Sequence, residues 1–216
     1  MSAVSEFERQ LGNLIAKRYP DAAGLEPAAF RQRVEPLRDI AAGLPESDPD
    51  LEQGRLPFVI VVSRELVGPE TAIGLVKRRG KAAATTMLDA DDFERFRPIE
   101  GISPPAGSAY LVVNVSTGRD TLNVTPDDAL EAIERQGRSP LTLDEGIALV
   151  TQFPEAVAKN GGFSLPGSRR GDRRVTALWI SKGRPKLGWC WAGNPHTWLG
   201  SASCGQRMGA RVGAGV

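Results

Sequence analysis

Apolar residues recur at helical spacing in the first part of the chain. Ser5 and Glu8 form a capping-box pattern at the start of a first helix, and Pro36 is expected to kink or end a second one. The apolar face of the first helix is formed by Phe7, Leu11, Leu14 and Ile15. We predict an N-terminal helical segment over residues 1–43, a helical pair that is either an appendage or a partner-binding element.

The pattern then changes from helical spacing to short apolar runs. Residues 44–55 are polar, acidic and without periodicity, which predicts a surface linker. Phe58–Ser63 and Tyr110–Val115 have the length and β-branched content of buried strands. Helix starts follow at Thr125 and Thr142, each a threonine N-cap with acidic residues in the next turn. We therefore predict a core domain over residues 56–204.

The last third of the chain predicts a β-hairpin. Val175–Ser181 and Lys186–Ala192 are two strand-like runs, separated by a basic turn. Residues 205–216 are rich in glycine and have little to bury, so we expect a flexible tail. Together these elements predict an α+β fold. Its parts are a single mixed sheet with flanking helices, the N-terminal helical pair and the C-terminal β-hairpin.

Composition narrows the class of protein. Among 216 residues, 41% are hydrophobic and 25% charged, and the formal net charge is +1. This composition is typical of globular proteins. The nearly neutral charge gives no overall electrostatic attraction to nucleic acid or membranes. The longest apolar run is too short to span a bilayer, and the N-terminus lacks a signal-peptide pattern. Since there are only two cysteines, Cys190 and Cys204, a disulfide scaffold is excluded and a cytoplasmic location is expected.

A basic loop is the first candidate for recognition chemistry. Four arginines fall within residues 169–174, and we expect Arg170, Arg173 and Arg174 to hold an anionic small molecule. The alternative is a solvated loop whose arginines pair with nearby carboxylates. Nucleic acid is an unlikely ligand, because the net charge is +1 and no recognised binding motif is present.

The only histidine lies in the most distinctive segment, Gly188–Trp198. We expect His196 to act as a general acid or base, with Asp172 as the carboxylate that orients it. Trp189, Trp191 and Asn194 would then line the substrate pocket. The alternative is a structural histidine at the turn, with the tryptophans as core.

No metal or organic cofactor is predicted. Cys190, His196 and Cys204 match no common zinc spacing, and the strand pattern buries Cys190 away from a nucleophilic role. The phosphate-binding loop, the dinucleotide-binding glycine motif and the nucleophile elbow are all missing from the sequence.

Several segments together resemble a known family. Pro140–Glu155, Gly171–Arg174 and Pro185–Gly200 are similar to an uncharacterised actinobacterial family of proteins of about this length, and the similarity extends upstream through Pro57–Ser63 and Tyr110–Asp128. The family has no assigned function. The resemblance therefore implies a cytoplasmic setting and transfers no catalytic residues.

Three functions are compatible with these patterns. The first is a small-molecule enzyme, in specialised metabolism, that binds a carboxylate, sulfate or phosphate in an Arg/Trp-lined pocket and uses His196 for proton transfer. The second is a non-catalytic binding or regulatory module whose basic hairpin docks an acidic protein partner. The third is an obligate subunit of a homo- or hetero-oligomer that shares an active site with another chain.

Overall fold

The computed structural model describes residues 2–210. Its α-helices are α1 (Ala3–Ala16), α2 (Tyr19–Ala22), α3 (Pro27–Val34), α4 (Leu37–Ala42), α5 (Pro69–Gly74), α6 (Ala90–Arg95), α7 (Pro126–Arg135) and α8 (Leu143–Gln152). Short 3₁₀ turns follow at Arg119–Thr121 and Pro154–Ala156. No helix of the described residues is long and apolar enough to cross a membrane.

The strands are more numerous than the sequence predicts, and each of the four predicted strands is one or two residues longer. They are β1 (Arg55–Val62), β2 (Lys77–Arg78), β3 (Lys81–Ala82), β4 (Ala84–Thr85), β5 (Arg97–Pro98), β6 (Ala109–Ser116), β7 (Ser139–Pro140), β8 (Gly162–Leu165), β9 (Ser168–Arg169), β10 (Arg174–Ser181), β11 (Arg184–Trp191), β12 (Leu199–Ser201), β13 (Ser203–Cys204) and β14 (Gln206–Gly209). The α+β class, the N-terminal helices and the C-terminal hairpin β10–β11 are confirmed.

The predicted single mixed sheet is wrong, because residues 2–210 form two five-stranded sheets and two smaller two-stranded ones, β2-β3 and β5-β9. The first sheet has the order β1-β6-β13-β7, with β14 also paired to β6. The second sheet has the order β12-β8-β10-β11-β4. The two sheets are joined by an extended segment that leaves the second sheet after β12 and enters the first at β13. At Ala202, between these strands, the N–H donates to Ser164 of the second sheet, and the carbonyl accepts from Leu141 N.

Helix α8 lies between the two sheets. On one side it packs on β1, and on the other Gly146 approaches Leu165 of β8 so closely that a Cβ there would overlap the leucine side chain. Nine of its ten residues are buried, which is the pattern of a helix surrounded by protein. The Thr142 capping box with Glu145 is confirmed at its start, and the Thr125 N-cap is confirmed at the start of α7.

The N-terminal helices belong to the same hydrophobic core as the two sheets. Phe7 and Leu11 of α1 are fully buried and cluster with Phe58 of β1. Helix α1 begins one turn earlier than predicted, because Ser2 rather than Ser5 is its N-cap and accepts from Ser5 N. The predicted break at Pro36 is confirmed, since α3 ends at Val34 and α4 begins at Leu37.

The C-terminal segment is a strand where a flexible tail was predicted. Gln206–Gly209 forms β14 and pairs with β6 from Val113 to Tyr110. The backbone groups of β6 offer an open edge there, so the segment gains sheet hydrogen bonds without needing a large apolar side chain. The remainder of the predicted tail, positions 211–216, lies outside the described residues.

Candidate functional site

A cavity of about 550 Å³ opens where β1 ends and β6 begins. The floor is built from the last residues of β1, the first residues of β6 and the first turn of α8, while a proline-rich loop forms one wall. This volume falls within the range of small-molecule pockets. The lining residues are Val62, Ser63, Arg64, Glu65, Arg97, Pro98, Pro104, Pro105, Ala106, Gly107, Tyr110 and Asp144.

An ion pair between Arg64 and Asp144 forms the polar part of the cavity. Arg64 Nη2 lies 2.9 Å from Asp144 Oδ2, and the two side chains are only 12% and 15% exposed. Arg64 Nε and Nη2 donate to this carboxylate, and Nη2 also donates to Phe96 O at 3.2 Å. Within the described residues, Arg64 Nη1 has no hydrogen-bond partner. The guanidinium therefore has donors left for a ligand.

A second buried network lies directly behind this pair. Tyr110 Oη, on the cavity floor, donates to Glu145 Oε1 at 3.1 Å. Arg207 of β14 holds the same carboxylate from the other side, with Nε 2.5 Å from Oε1. Burial raises the pKa of the Tyr110 hydroxyl far above its ordinary value, and the Glu145 carboxylate raises it further. Tyr110 is therefore a neutral hydrogen-bond donor at any physiological pH.

Burial also raises the pKa of Asp144 above its usual 3.8, even though Arg64 acts in the opposite direction. A carboxyl whose pKa is raised on folding stabilises the protein below its unfolded pKa, and this contribution is lost as pH rises through the folded pKa. The contribution of Asp144 is the unfolding free energy of wild type minus that of Asp144→Asn. We expect this difference to fall as pH rises from below 3.8. Urea unfolding of both proteins across this range measures the difference. A difference that grows with pH would contradict the prediction.

The predicted anion-binding arginines are largely neutralised by carboxylates. Arg170 forms ion pairs with the buried Asp92 of α6 and with Asp172, 3.5 Å away. Arg174 lies 3.3 Å from Asp92 and 2.8 Å from Asp172. The hydrogen bond from the Arg174 side chain holds the pKa of Asp172 below its ordinary value. Arg173 is exposed and, among the described residues, makes no side-chain hydrogen bond or ion pair.

The predicted tryptophan wall lies beside these ion pairs. The Arg174 guanidinium lies 5.5 Å from the Trp189 ring centre, and Trp189 contacts Trp191 edge-on at 4.8 Å. Trp191 is 48% exposed. The structure thus brings together five predicted residues: Arg170, Asp172, Arg174, Trp189 and Trp191.

His196 stands apart from its expected partner. Its ring centre lies 5.3 Å from that of Trp198, and its backbone carbonyl accepts from Asn123 N. Within residues 2–210, no hydrogen bond or ion pair joins Asp172 to His196, since the Asp172 carboxylate is occupied by the two arginines. Asn194 is exposed, and its N–H donates to Trp191 O in the preceding turn.

Both cysteines are free and buried. Burial raises the pKa of Cys190 to about 12 and that of Cys204 to about 11. Thiols in such surroundings are weak nucleophiles. No group of three or more His, Cys, Asp or Glu side chains in the described part of the chain is arranged to hold a metal ion.

Sequence reasoning missed the cavity. Arg64 and Asp144 are 80 positions apart and belong to no recognised motif. In the sequence, Asp144 is one of the acidic residues that follow the Thr142 N-cap, a position where carboxylates commonly interact with the helix dipole. The available signal was a single arginine directly after a buried strand.

The fold and the cavity define a small α+β protein with a ligand-sized site between a strand end and a helix N-terminus. A family model described as "Family of unknown function (DUF5701)" matches residues 13–210, and the chain therefore belongs to this family. Comparison with curated proteins and with solved structures gave no match.

Proposed function

We propose that the protein binds a small neutral organic molecule in the cavity, with Arg64 and Asp144 holding its polar head. The observation that carries this proposal is the buried ion pair facing open space. Such a pair costs desolvation energy and is weak evidence for stability, so its position beside a cavity favours a role in binding.

The charges of the pair point to the class of ligand. Arg64 has free donors at Nη1, and the Asp144 oxygens retain acceptor capacity. Because the two charges cancel, a head group with a donor beside an acceptor, such as a primary amide, complements them better than an anion. The apolar part of the ligand would pack on Val62, Pro104 and Pro105.

Ligand-observed NMR with benzamide and benzoate tests this proposal. The binding that depends on Arg64 should be tighter for benzamide than for benzoate, because the Asp144 carboxylate repels a second carboxylate. Arg64→Met should weaken benzamide binding by about tenfold or more, the usual cost of losing a hydrogen bond to a charged group.

Two further variants separate binding from folding. Arg64→Met/Asp144→Leu removes both charges at once, so no buried charge is left unpaired and the fold should be retained. Arg31→Met, which removes an exposed pair with Glu8, is the matched control and should bind benzamide as wild type does. Wild-type affinity in the double variant would refute the proposal.

Other functions remain proposals from the sequence alone. These are acid–base catalysis by His196 and Asp172, docking of an acidic protein partner on the basic hairpin, and a role as an obligate subunit. We likewise propose, from the sequence alone, a cytoplasmic location, an actinobacterial origin and a place in specialised metabolism. The exposed Arg173 and Arg184 support the docking proposal, since their charges are accessible to a partner.

A further inference from the structure

A second recess, which shares no lining residue with the cavity, opens beside the end of β10. This groove has a volume of about 320 Å³ and is lined by Ala158, Lys159, Asn160, Gly162, Trp179, Ile180 and Trp198. The Trp179 and Trp198 rings meet edge-on, with their centres 6.2 Å apart. The His196 ring centre lies 5.3 Å from that of Trp198. Trp198 thus contacts both of these neighbouring rings.

Arg119 lies behind the groove, with its guanidinium against Gly161. It is half-buried, and within the described residues it makes no side-chain hydrogen bond or ion pair. Its Nε is buried without a partner, as is Oγ1 of the nearby Thr117. The other half-buried arginines all have hydrogen bonds or ion pairs: Arg38, Arg64, Arg78, Arg138, Arg169, Arg170, Arg174 and Arg207.

Two glycines make room for this side chain. A Cβ on Gly161 would overlap the Arg119 guanidinium, and a Cβ on Gly54 would lie 3.3 Å from Arg119 Cγ. Gly161 is flanked by Asn160 and Gly162, which line the groove. The fold therefore holds an unpaired guanidinium in place, one residue behind the groove lining. Buried polar groups in proteins nearly always have hydrogen-bond partners, so we expect a partner from outside the chain to bind this guanidinium.

We propose that Arg119 and the Trp198 groove form a binding site for an oxyanion carried on a planar ring. The fork of a guanidinium matches the paired oxygens of a carboxylate or phosphate. Trp198 and Trp179 offer ring faces and edges for the planar part, and the exposed Lys159 adds positive charge at the groove. This site is independent of the cavity and of the ligand proposed there.

Isothermal titration calorimetry with phenyl phosphate, benzoate and inorganic phosphate tests the proposal. Phenyl phosphate or benzoate should bind more tightly than inorganic phosphate, because only the first two carry a ring. The better of these two identifies the oxyanion. Arg119→Met should weaken its binding by about tenfold or more, and Arg119→Lys, which keeps the charge without the fork, by less.

Matched variants make the result specific. Trp198→Leu should reduce the affinity for the ring-bearing probes and leave that for inorganic phosphate unchanged. Arg33→Met removes an arginine of α3 that is exposed and, among the described residues, makes no side-chain hydrogen bond or ion pair, so it should have no effect. Because the Arg119 side chain has no polar partner within residues 2–210, Arg119→Met should unfold at the wild-type temperature. Equal binding by wild type and Arg119→Met, or equal losses in Arg119→Met and Arg33→Met, would overturn the proposal, as would no binding of either ring-bearing probe.

Discussion

Replacing Arg207 with methionine is expected to lower the free energy of unfolding by about 3–5 kcal/mol, the usual cost of removing one partner from a buried ion pair. Arg207 holds Glu145 at 2.5 Å, donates to Ser139 Oγ at 2.6 Å and donates to Pro140 O at 2.8 Å. The Glu145 side chain is fully buried, so its charge would lose its cationic partner without gaining water. Urea unfolding followed by circular dichroism measures the change.

The control for this prediction is Arg31→Met. Arg31 pairs with Glu8 at the surface, at 2.9 Å, with both side chains well exposed. Exposed pairs of this kind contribute about 0–1 kcal/mol, so this variant should unfold close to wild type. Similar losses in the two variants would show that the Glu145 network has no special energetic role.

Replacing Gln10 with alanine is expected to cost about 3 kcal/mol of unfolding free energy, because each buried polar group left without a partner costs about 1–3 kcal/mol. Gln10 is fully buried on α1. Its side-chain amide forms hydrogen bonds with the backbone of β1, as a neighbouring strand would. Its Nε2 donates to Phe58 O at 3.0 Å, and its Oε1 accepts from Ile60 N at 2.8 Å. Thermal and urea unfolding of the variant measure the loss.

Gln32 provides the matched comparison for Gln10. It is an exposed glutamine of α3, and Gln32→Ala should change stability by no more than about 0.5 kcal/mol. If the stability of Gln10→Ala also changed by no more than this margin, the result would show that the edge of β1 does not need the Gln10 side-chain amide. Hydrogen exchange at the Ile60 amide gives a local check, since the variant should expose this N–H to solvent.

Local signals in the sequence were sufficient for much of the fold. The starts of α7 and α8 follow from Thr125 and Thr142, because a capping side chain bonds within its own first turn. The same kind of signal gave the wrong start for α1, because Ser2 and Ser5 are both suitable N-cap residues. In the structure, Ser2 caps the helix. The number of sheets was missed for a different reason. It depends on where the chain crosses at Ala202, and no pattern of polarity marks that residue.

The site was harder to predict because its partners are distant in sequence. The arginine run near position 170 was visible as charge, but the buried Asp92 that neutralises it lies on α6, far upstream. In the same way, Arg64 and Asp144 meet only after β1 and α8 pack together. Arg119, which lies behind the groove, belongs to no motif, and only the lack of a partner among the described residues distinguishes it.

Strand β14 has a consequence for the biosynthesis of this protein. Strand β6 pairs with β1 on one edge and with β14 on the other, so the first sheet joins residues near position 55 to residues near 209. During translation, Glu145 is made long before Arg207, and it lacks this cationic partner until Arg207 itself emerges. Contacts this distant in sequence form slowly. The first sheet is thus completed only after residues 206–209 have left the ribosome.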